Sequence, residues 1–193
     1  SNGPVNVVRA DPKQKGLLFA GTERAVYFSN DEGAHWQSLR NNMPATSIRD
    51  LVIHEDDLVV GTHGRSIWIL DNIAPLREMI KMQKESVYLF TPSLATRVRD
   101  NMFHDTPLPP EEPTGQNPPD GAILDYHLAV DASSVKLEVL HQEGKVIRSY
   151  ASDDLPLNVD TTTQRHPTYW MRPVEELGTS AGHHRFTWDL KYA

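Results

Sequence analysis

The chain contains no cysteine among its 193 residues, which excludes disulfide bonds, thiolate metal ligands and cysteine nucleophiles. It has no long hydrophobic run, and no stretch approaches the ~18 apolar residues that a membrane-spanning helix needs. A basic run is also absent: 19 Lys and Arg against 26 Asp and Glu give a formal net charge of −7. An acidic balance is unfavourable for binding nucleic acid or an anionic membrane surface. We therefore expect no nucleic-acid partner and no membrane span.

The common catalytic and nucleotide-binding motifs are absent as well, including the phosphate-binding loop, the dinucleotide fingerprint, the serine-hydrolase elbow and the zinc-protease helix. Two histidine-containing segments, His54–Asp57 and His183-His184, look like metal sites at first. Neighbouring residues of a strand point to opposite faces, however, so such side chains do not converge on one ion. The sequence therefore predicts no catalytic residue, no cofactor and no metal site.

Short strands and tight turns fill the first 70 residues. Runs of three to seven residues, rich in β-branched and aromatic side chains, alternate with polar or glycine-containing clusters, which is typical of antiparallel hairpins. The predicted strands are Val5–Val8, Leu17–Ala20, Ala25–Phe28, Ile48–His54, Leu58–Val60 and Ser66–Leu70.

An internal repeat relates two parts of this region. The sequence 17–22 (LLFAGT) recurs as 57–62 (DLVVGT), an offset of 40, and 25–28 (AVYF) recurs as 66–69 (SIWI), an offset of 41. A period near 40 residues with three or four strands per unit is typical of β-propeller blades. Two coincidentally similar Gly-Thr hairpins would be the alternative interpretation. If the propeller interpretation holds, residues 5–70 should present blade faces that lack their neighbours.

The pattern changes after residue 70. We predict a short helix within 74–84, from Ala74 to Met82, capped by Asp71 or Asn72. Residues 85–120 should form one strand, at 87–90, followed by a proline-rich connector, because clustered prolines forbid helix and central strand. Residues 121–193 should form a small antiparallel β-sandwich. Its predicted strands are Ile123–Ala129, Val135–Leu140, Val146–Tyr150 and His184–Tyr192.

One motif stands out between the third and fourth predicted strands. Residues 29–36 (SNDEGAHW) match the pattern S-x-D-x-G-x-x-W. The Ser29 and Asp31 side chains can accept hydrogen bonds from the backbone of a turn, and Gly33 can adopt a left-handed conformation. We expect the Trp36 ring to be buried in the sheet. All four residues are thus predicted to be architectural.

This motif resembles the Asp-box, or BNR repeat, of sialidases and sortilin-type propellers, with His35 where threonine is usual. Residues 51–71 are similar to the last blade of exported bacterial propeller proteins labelled sortilin-like or glycosyl hydrolase-like. Residues 182–190 (GHHRFTWDL) resemble a strand of the Ig-like, flagellar-hook-capping type of module. The resemblance implies an all-β fragment of an exported parent: one or two terminal blades in 1–73, then an Ig-like sandwich in 121–193 that is either complete or truncated. The opening residues 1–4 (SNGP) agree with a fragment boundary.

A candidate ligand site lies in the two turns that follow the repeated Gly-Thr pairs. His63 and Arg65 occupy one turn, and Glu23 and Arg24 occupy the other. An arginine at such a position can bind a carboxylate, whereas the alternative is a solvated turn shaped by Gly64. The resemblance implies a non-catalytic module that binds protein, peptide or glycan and packs against the rest of its propeller. The other function considered is part of a sialidase-like glycoside hydrolase.

Overall fold

The computed structural model describes residues 3–97, 111, 115, 118–155 and 175–192. The chain divides into two compact units, Ser1–Glu85 and Ser86–Ala193. Antiparallel strands dominate the described residues of both units, and the predicted all-β class is confirmed. Most of the proline-rich connector lies outside the described residues.

Two antiparallel sheets and a helix make up the first unit. Sheet A has the strand order β1-β2-β3-β4, and sheet B has the order β5-β6-β7. Each sheet is a meander of neighbouring strands joined by tight turns, as the alternation of apolar runs and turn residues predicts. The strands are β1 (Val5–Ala10), β2 (Leu18–Thr22), β3 (Val26–Ser29), β4 (Gln37–Ser38), β5 (Ile48–His54), β6 (Asp57–Thr62) and β7 (Ile67–Leu70).

The internal repeat extends to the register of the strands. Each sheet has a β-bulge near the start of its first strand, opposite the Gly-Thr pair of its second strand. The matching pairs are Val5–Thr22 and Val7–Gly21 in sheet A, and Ile48–Thr62 and Asp50–Gly61 in sheet B. A shared bulge is hard to reconcile with two coincidentally similar hairpins, because a bulge is a specific departure from regular pairing.

The two sheets share one hydrophobic core. Side chains from one face of sheet A and from one face of sheet B form a single buried cluster. Phe19 of β2 and Ile48 of β5 are completely buried in it. Sheet A contributes Val7, Phe19, Val26 and Phe28, and sheet B contributes Ile48, Leu51, Leu58 and Val60.

Helix α1 (Ala74–Met82) follows sheet B and has the predicted span. Its apolar residues Leu76 and Met79 pack against the shared core. The predicted cap was wrong in detail, since Ile73 is the N-cap residue and no side-chain capping bond is made from it. Asn72, one residue earlier, accepts a 3.4 Å hydrogen bond from the Ala74 amide through its side chain.

The second unit also contains two antiparallel sheets. Sheet C has the order β12-β9-β8, and sheet D pairs β10 with β11. Both contribute to one hydrophobic cluster, in which the Tyr150 and Phe186 rings lie 4.7 Å apart. The strands are β8 (Val87–Leu89), β9 (Ala122–Leu128), β10 (Lys136–Leu140), β11 (Val146–Ala151) and β12 (Gly182–Trp188).

The second unit differs from the sequence prediction in one strand pairing and in the end of its last strand, besides shifts of one or two residues at other strand ends. β8 pairs with β9, so the strand predicted ahead of the connector belongs to the same sheet as the strands that follow it. The last strand ends at Trp188 rather than Tyr192, and Leu190 has a left-handed φ of 59° that breaks the extended run. A side chain in that conformation is uncommon and marks a turn.

Candidate functional site

The turns that follow β2 and β6 are closed by equivalent threonines. Thr22 Oγ1 accepts hydrogen bonds from the amides of Arg24 (3.2 Å) and Ala25 (3.1 Å). Thr62 Oγ1 accepts one from the amide of Arg65 at 3.2 Å. A hydroxyl that binds the backbone two or three residues ahead shapes a tight turn and fixes which residues are displayed outward.

A single connecting segment joins these two turns. The Thr46 amide donates a 3.3 Å hydrogen bond to the carbonyl of Arg24, and Thr46 Oγ1 donates one of 3.3 Å to the carbonyl of His63. The His63 amide in turn donates to the carbonyl of Ser47 at 2.9 Å. The structure therefore brings Arg24 and His63 to the same end of the first unit, as the repeat suggested.

Glu23 is held in place by polar neighbours at this end. Asn6 Nδ2 donates to Glu23 Oε1 at 2.8 Å, and Arg49 Nη1 lies 3.9 Å from the same oxygen. The hydrogen bond from Asn6, a second from Ser47 and electrostatic interactions with Arg49 and His63 lower the pKa of Glu23. Glu23 is therefore a carboxylate at neutral pH. Its side chain is still 37% exposed, which leaves it open to a ligand.

Arg24 and Arg65 are exposed on the same two turns. Within the part of the chain that the structure describes, neither guanidinium makes a hydrogen bond or an ion pair. Arg65 contributes only its carbonyl, which accepts a 2.7 Å hydrogen bond from Trp68 Nε1. The sequence prediction missed Arg49. The position of Arg49 at the start of β5, next to the segment that joins the turns, was the available signal.

The motif at residues 29–36 forms a closed hydrogen-bonded turn between β3 and β4. Ser29 Oγ donates to Asp31 Oδ1 at 2.7 Å and accepts from the Gly33 amide at 2.9 Å. Asp31 Oδ1 also accepts from the His35 amide at 2.9 Å, and Asp31 Oδ2 lies 2.6 Å from His35 Nδ1. Gly33 has a φ of 93°, so its left-handed conformation is as predicted.

These contacts use the Asp31 carboxylate to close the turn between β3 and β4. The backbone hydrogen bond from His35, the hydroxyl of Ser29 and the His35 side chain lower the pKa of Asp31 to about 2. His35, which replaces the threonine usual in the motif, supplies two of these contacts.

The prediction that the Trp36 ring is buried was wrong. Trp36 is 40% exposed and lies over Gly33, outside the shared core. It precedes β4 by one residue, so it does not lie within the strand that was expected to bury it.

A buried ion cluster in the first unit escaped the sequence analysis. Arg77 of α1 donates to both carboxylate oxygens of Asp11, with Nη2 2.8 Å from Oδ2, and its Nη1 also contacts Asp56. The Asp11 side chain is fully buried and also accepts hydrogen bonds from the amides of Lys13 and Gln14. We call Asp11, Asp56 and Arg77 the helix clasp, since Arg77 ties α1 to one turn of each sheet.

A second buried carboxylate lies in the second unit. The Asp125 side chain is 1% exposed, and it accepts hydrogen bonds from His183 Nε2 at 3.0 Å and Arg185 Nε at 2.9 Å. Burial opposes ionisation of Asp125, but these hydrogen bonds and charges outweigh it, so its pKa is lowered. Asp125 lies within a strand that the sequence predicted, but its burial depends on β12, about 60 residues away.

Other features restrict what the described residues can hold. No three His, Asp or Glu side chains among them converge on a point where a metal ion could bind. A half-open cleft in the first unit is lined by Met43, Leu58 and Trp68. Nor does any described helix have the length and apolar character to cross a membrane. No protein-family model, curated protein or solved structure matches this chain.

Proposed function

We propose that the first unit is a non-catalytic binding module whose ligand carries a carboxylate, such as an acidic glycan or peptide. The site is the pair of turns that display Glu23, Arg24, His63 and Arg65. Two exposed arginines without partners among the described residues lie on these turns, and guanidinium groups bind carboxylates through paired hydrogen bonds. Glu23 would accept hydrogen bonds from hydroxyl or amide groups of the same ligand.

The state of Glu23 is the observation that carries the non-catalytic interpretation. A general acid in glycoside hydrolysis needs a raised pKa, so that its proton is present at neutral pH. The pKa of Glu23 is instead lowered by Asn6, Ser47, Arg49 and His63. An ionised carboxylate does not deliver a proton to a leaving group. It could still serve as a nucleophile, but the two turns carry no second Asp or Glu to act as its acid partner.

The proposal includes the kind of protein to which the module belongs. The matching bulges and threonine turns of the two sheets, with the closed turn at residues 29–36, support the interpretation of sheets A and B as blades of a sortilin-like or BNR-type propeller from an exported bacterial protein. The second unit would then be the Ig-like sandwich of that protein. The remaining blades of the parent would be a partner of this module.

The second candidate function is one edge of a sialidase-like active site. The exposed Arg24 and Arg65, on turns that also carry the carboxylate Glu23, favour it, because such enzymes bind a substrate carboxylate with arginines. It needs further catalytic groups that the described residues do not bring to these turns. It therefore requires that the active site be completed by other parts of a longer chain.

An NMR titration tests the binding proposal. We expect sialyllactose to shift backbone amide signals of residues 22–25 and 62–66 in the ¹⁵N-labelled chain. Arg65→Ala and Arg24→Ala should abolish the shifts, whereas Lys15→Ala, 93% exposed at the opposite end of sheet A, should retain them. An acidic peptide without sugar is the second probe. The proposal is wrong if neither probe shifts these signals, or if both arginine variants bind as the parent does.

A turnover assay separates the two candidate functions. The binding module should release no phenol from an aryl sialoside under conditions in which sialyllactose shifts the NMR signals. Measurable hydrolysis that disappears in Glu23→Gln but persists in Lys15→Ala would support the glycosidase and contradict the non-catalytic role.

A further inference from the structure

The repeat shows which faces of the two sheets are equivalent. β2 corresponds to β6 at an offset of 40 residues, β3 to β7 at 41 and β1 to β5 at 43. These offsets make the outward face of sheet B equivalent to the face of sheet A that is buried in the shared core. Its members Val59, Ile67 and Ile69 match the buried Phe19, Val26 and Phe28. The packing inside the unit is therefore head to tail: one face of the first repeat meets the opposite face of the second.

The outward face of sheet B is apolar and open. Val52 is 50% exposed, Ile67 is 70% exposed and Ile69 is 59% exposed. The counterparts of Ile67 and Ile69 in sheet A are Val26 and Phe28. They are only 1% and 5% exposed, because sheet B covers them. Scattered exposed apolar residues are ordinary, but side chains that share one face of one sheet form a patch that indicates an interaction surface.

The outward face of sheet A is open along β1, whereas Leu18 is half-buried and Ala20 is 5% exposed on β2. Val5 is 57% exposed and Val8 is 50% exposed. They are the counterparts of Ile48 and Leu51, which are completely buried against sheet A. The first unit thus exposes both halves of an interface that it already forms once internally.

We propose that, in this chain, the outward face of sheet B docks onto the outward face of sheet A in a second copy, which takes the place that the remaining blades would have in the proposed parent. The internal contact of the two sheets supplies the template, and the repeat offsets supply the matching positions. Ile67 and Ile69 would pack against Val5 and Val8 of the next copy, as Val26 and Phe28 pack in the core with Ile48 and Leu51. Such an interface is heterologous, so it leads to open chains or closed rings rather than symmetric dimers.

The polar groups around these faces are compatible with docking. Asp50 of sheet B is the counterpart of Val7, which is buried in sheet A. The Asp50 carboxylate lies 2.6 Å from Arg9 Nη2, so docking would not leave this charge without a partner. Asn6 donates a 3.0 Å hydrogen bond to the carbonyl of Ile48 across the internal interface. Arg49 occupies the position equivalent to Asn6, and its guanidinium can donate to the Val5 carbonyl of the next copy in the same way.

Light scattering coupled to size-exclusion chromatography tests the proposal on the full chain. The weight-average mass should rise above the 21.8 kDa of one chain as the protein concentration increases. Ile69→Glu and Val8→Glu each place a charge on one of the two faces and should each hold the mass at one chain. Ile80→Glu is the matched control, since Ile80 is 49% exposed on α1, outside both faces. It should associate like the parent.

A mixing experiment distinguishes head-to-tail docking from every symmetric alternative. The Val8→Glu variant keeps its sheet B face, and the Ile69→Glu variant keeps its sheet A face, so an equimolar mixture should form dimers and nothing larger. Circular dichroism spectra equal to that of the parent show that each variant is folded. The proposal is overturned if the parent stays monomeric, if either variant associates like the parent, or if the mixture remains monomeric.

Discussion

Replacing Gly21 with alanine should destabilise the first unit, whereas the same change at the equivalent Gly61 should not. A Cβ atom at Gly21 would lie 2.6 Å from Ile48 Cγ2 and 2.8 Å from Val7 Cγ1. Both neighbours are buried, β-branched side chains with little freedom to rotate away. At Gly61 the nearest atom is the Asp50 carbonyl oxygen, at an unstrained 3.6 Å.

The magnitude follows from two opposing effects. Adding a methyl group to a filled core costs about 1–3 kcal/mol, and an alanine in place of glycine returns about 0.4–1 kcal/mol by restricting the unfolded chain. Gly21→Ala therefore carries both effects, and Gly61→Ala carries only the second. The two variants should differ by about 2 kcal/mol, which is about 10 °C in melting temperature for a unit of this size.

Differential scanning calorimetry of the full chain measures the difference, and hydrogen exchange of peptides covering residues 17–28 assigns it to the first unit. Gly21→Ala should lower the melting temperature and increase exchange in those peptides, while Gly61→Ala should leave both unchanged or slightly improved. Equal melting temperatures for the two variants would show that sheets A and B do not meet at Gly21, and the argument for a shared core would fail.

Three further predictions concern the polar contacts. Arg77→Met should lower the free energy of unfolding in urea by about 3 kcal/mol, because it leaves the buried Asp11 carboxylate without its counter-ion. A loss no larger than that of Lys15→Met would contradict the helix clasp. Thr22→Val should cost about 1–3 kcal/mol by leaving turn amides unpaired, and Thr62→Val, in an exposed turn, should cost less. Because the folded pKa of Asp31 is about 2 against 3.8 for the free group, its stabilisation is complete above about pH 5 and lost towards pH 2. Asp31→Asn should therefore reduce the acid dependence of the urea midpoint, and the lowered pKa values of Glu23 and Asp125 account for a part that remains.

Local patterns predicted most of the fold. Strands in this chain coincide with short β-branched and aromatic runs, because an extended backbone suits those side chains and the polar clusters between them turn readily. The Gly-Thr repeat predicted equivalent hairpins, and the equivalent bulges and threonine turns followed from it. The span of α1 was predicted because Asp71 and Asn72 are capping residue types and Pro75 suits a first helical turn.

Long-range contacts account for what the sequence did not predict. The partners of Arg77 lie 66 and 21 residues away, so no local pattern marks them. Asp125 is buried because β12 supplies Arg185 and His183, and an alternating strand cannot reveal which of its faces is covered. The exposure of Trp36 depends on β4 being only two residues long, which leaves the ring beyond the sheet.

At the candidate site, residue types were predictable but their state was not. The repeat identified the two turns and hence Glu23, Arg24, His63 and Arg65. The ionisation of Glu23 depends on Asn6, on a strand that precedes it by 17 residues, and on Ser47 and Arg49, which follow it by about 25. These groups come together only in the folded chain. Whether Glu23 is a proton donor or an ionised carboxylate at neutral pH could therefore be judged only from the structure.

The helix clasp determines where the chain can be cut for separate study of its halves. A recombinant first half that stops after β7, near residue 73, would lack Arg77 and leave the buried Asp11 carboxylate without its counter-ion. Extending the clone to Glu85 keeps α1 and its salt links, and starting the other half at Ser86 keeps β8 with its sheet. Soluble yield from the longer clone, compared with the shorter one, would be an early practical sign that the helix is integral to the first unit.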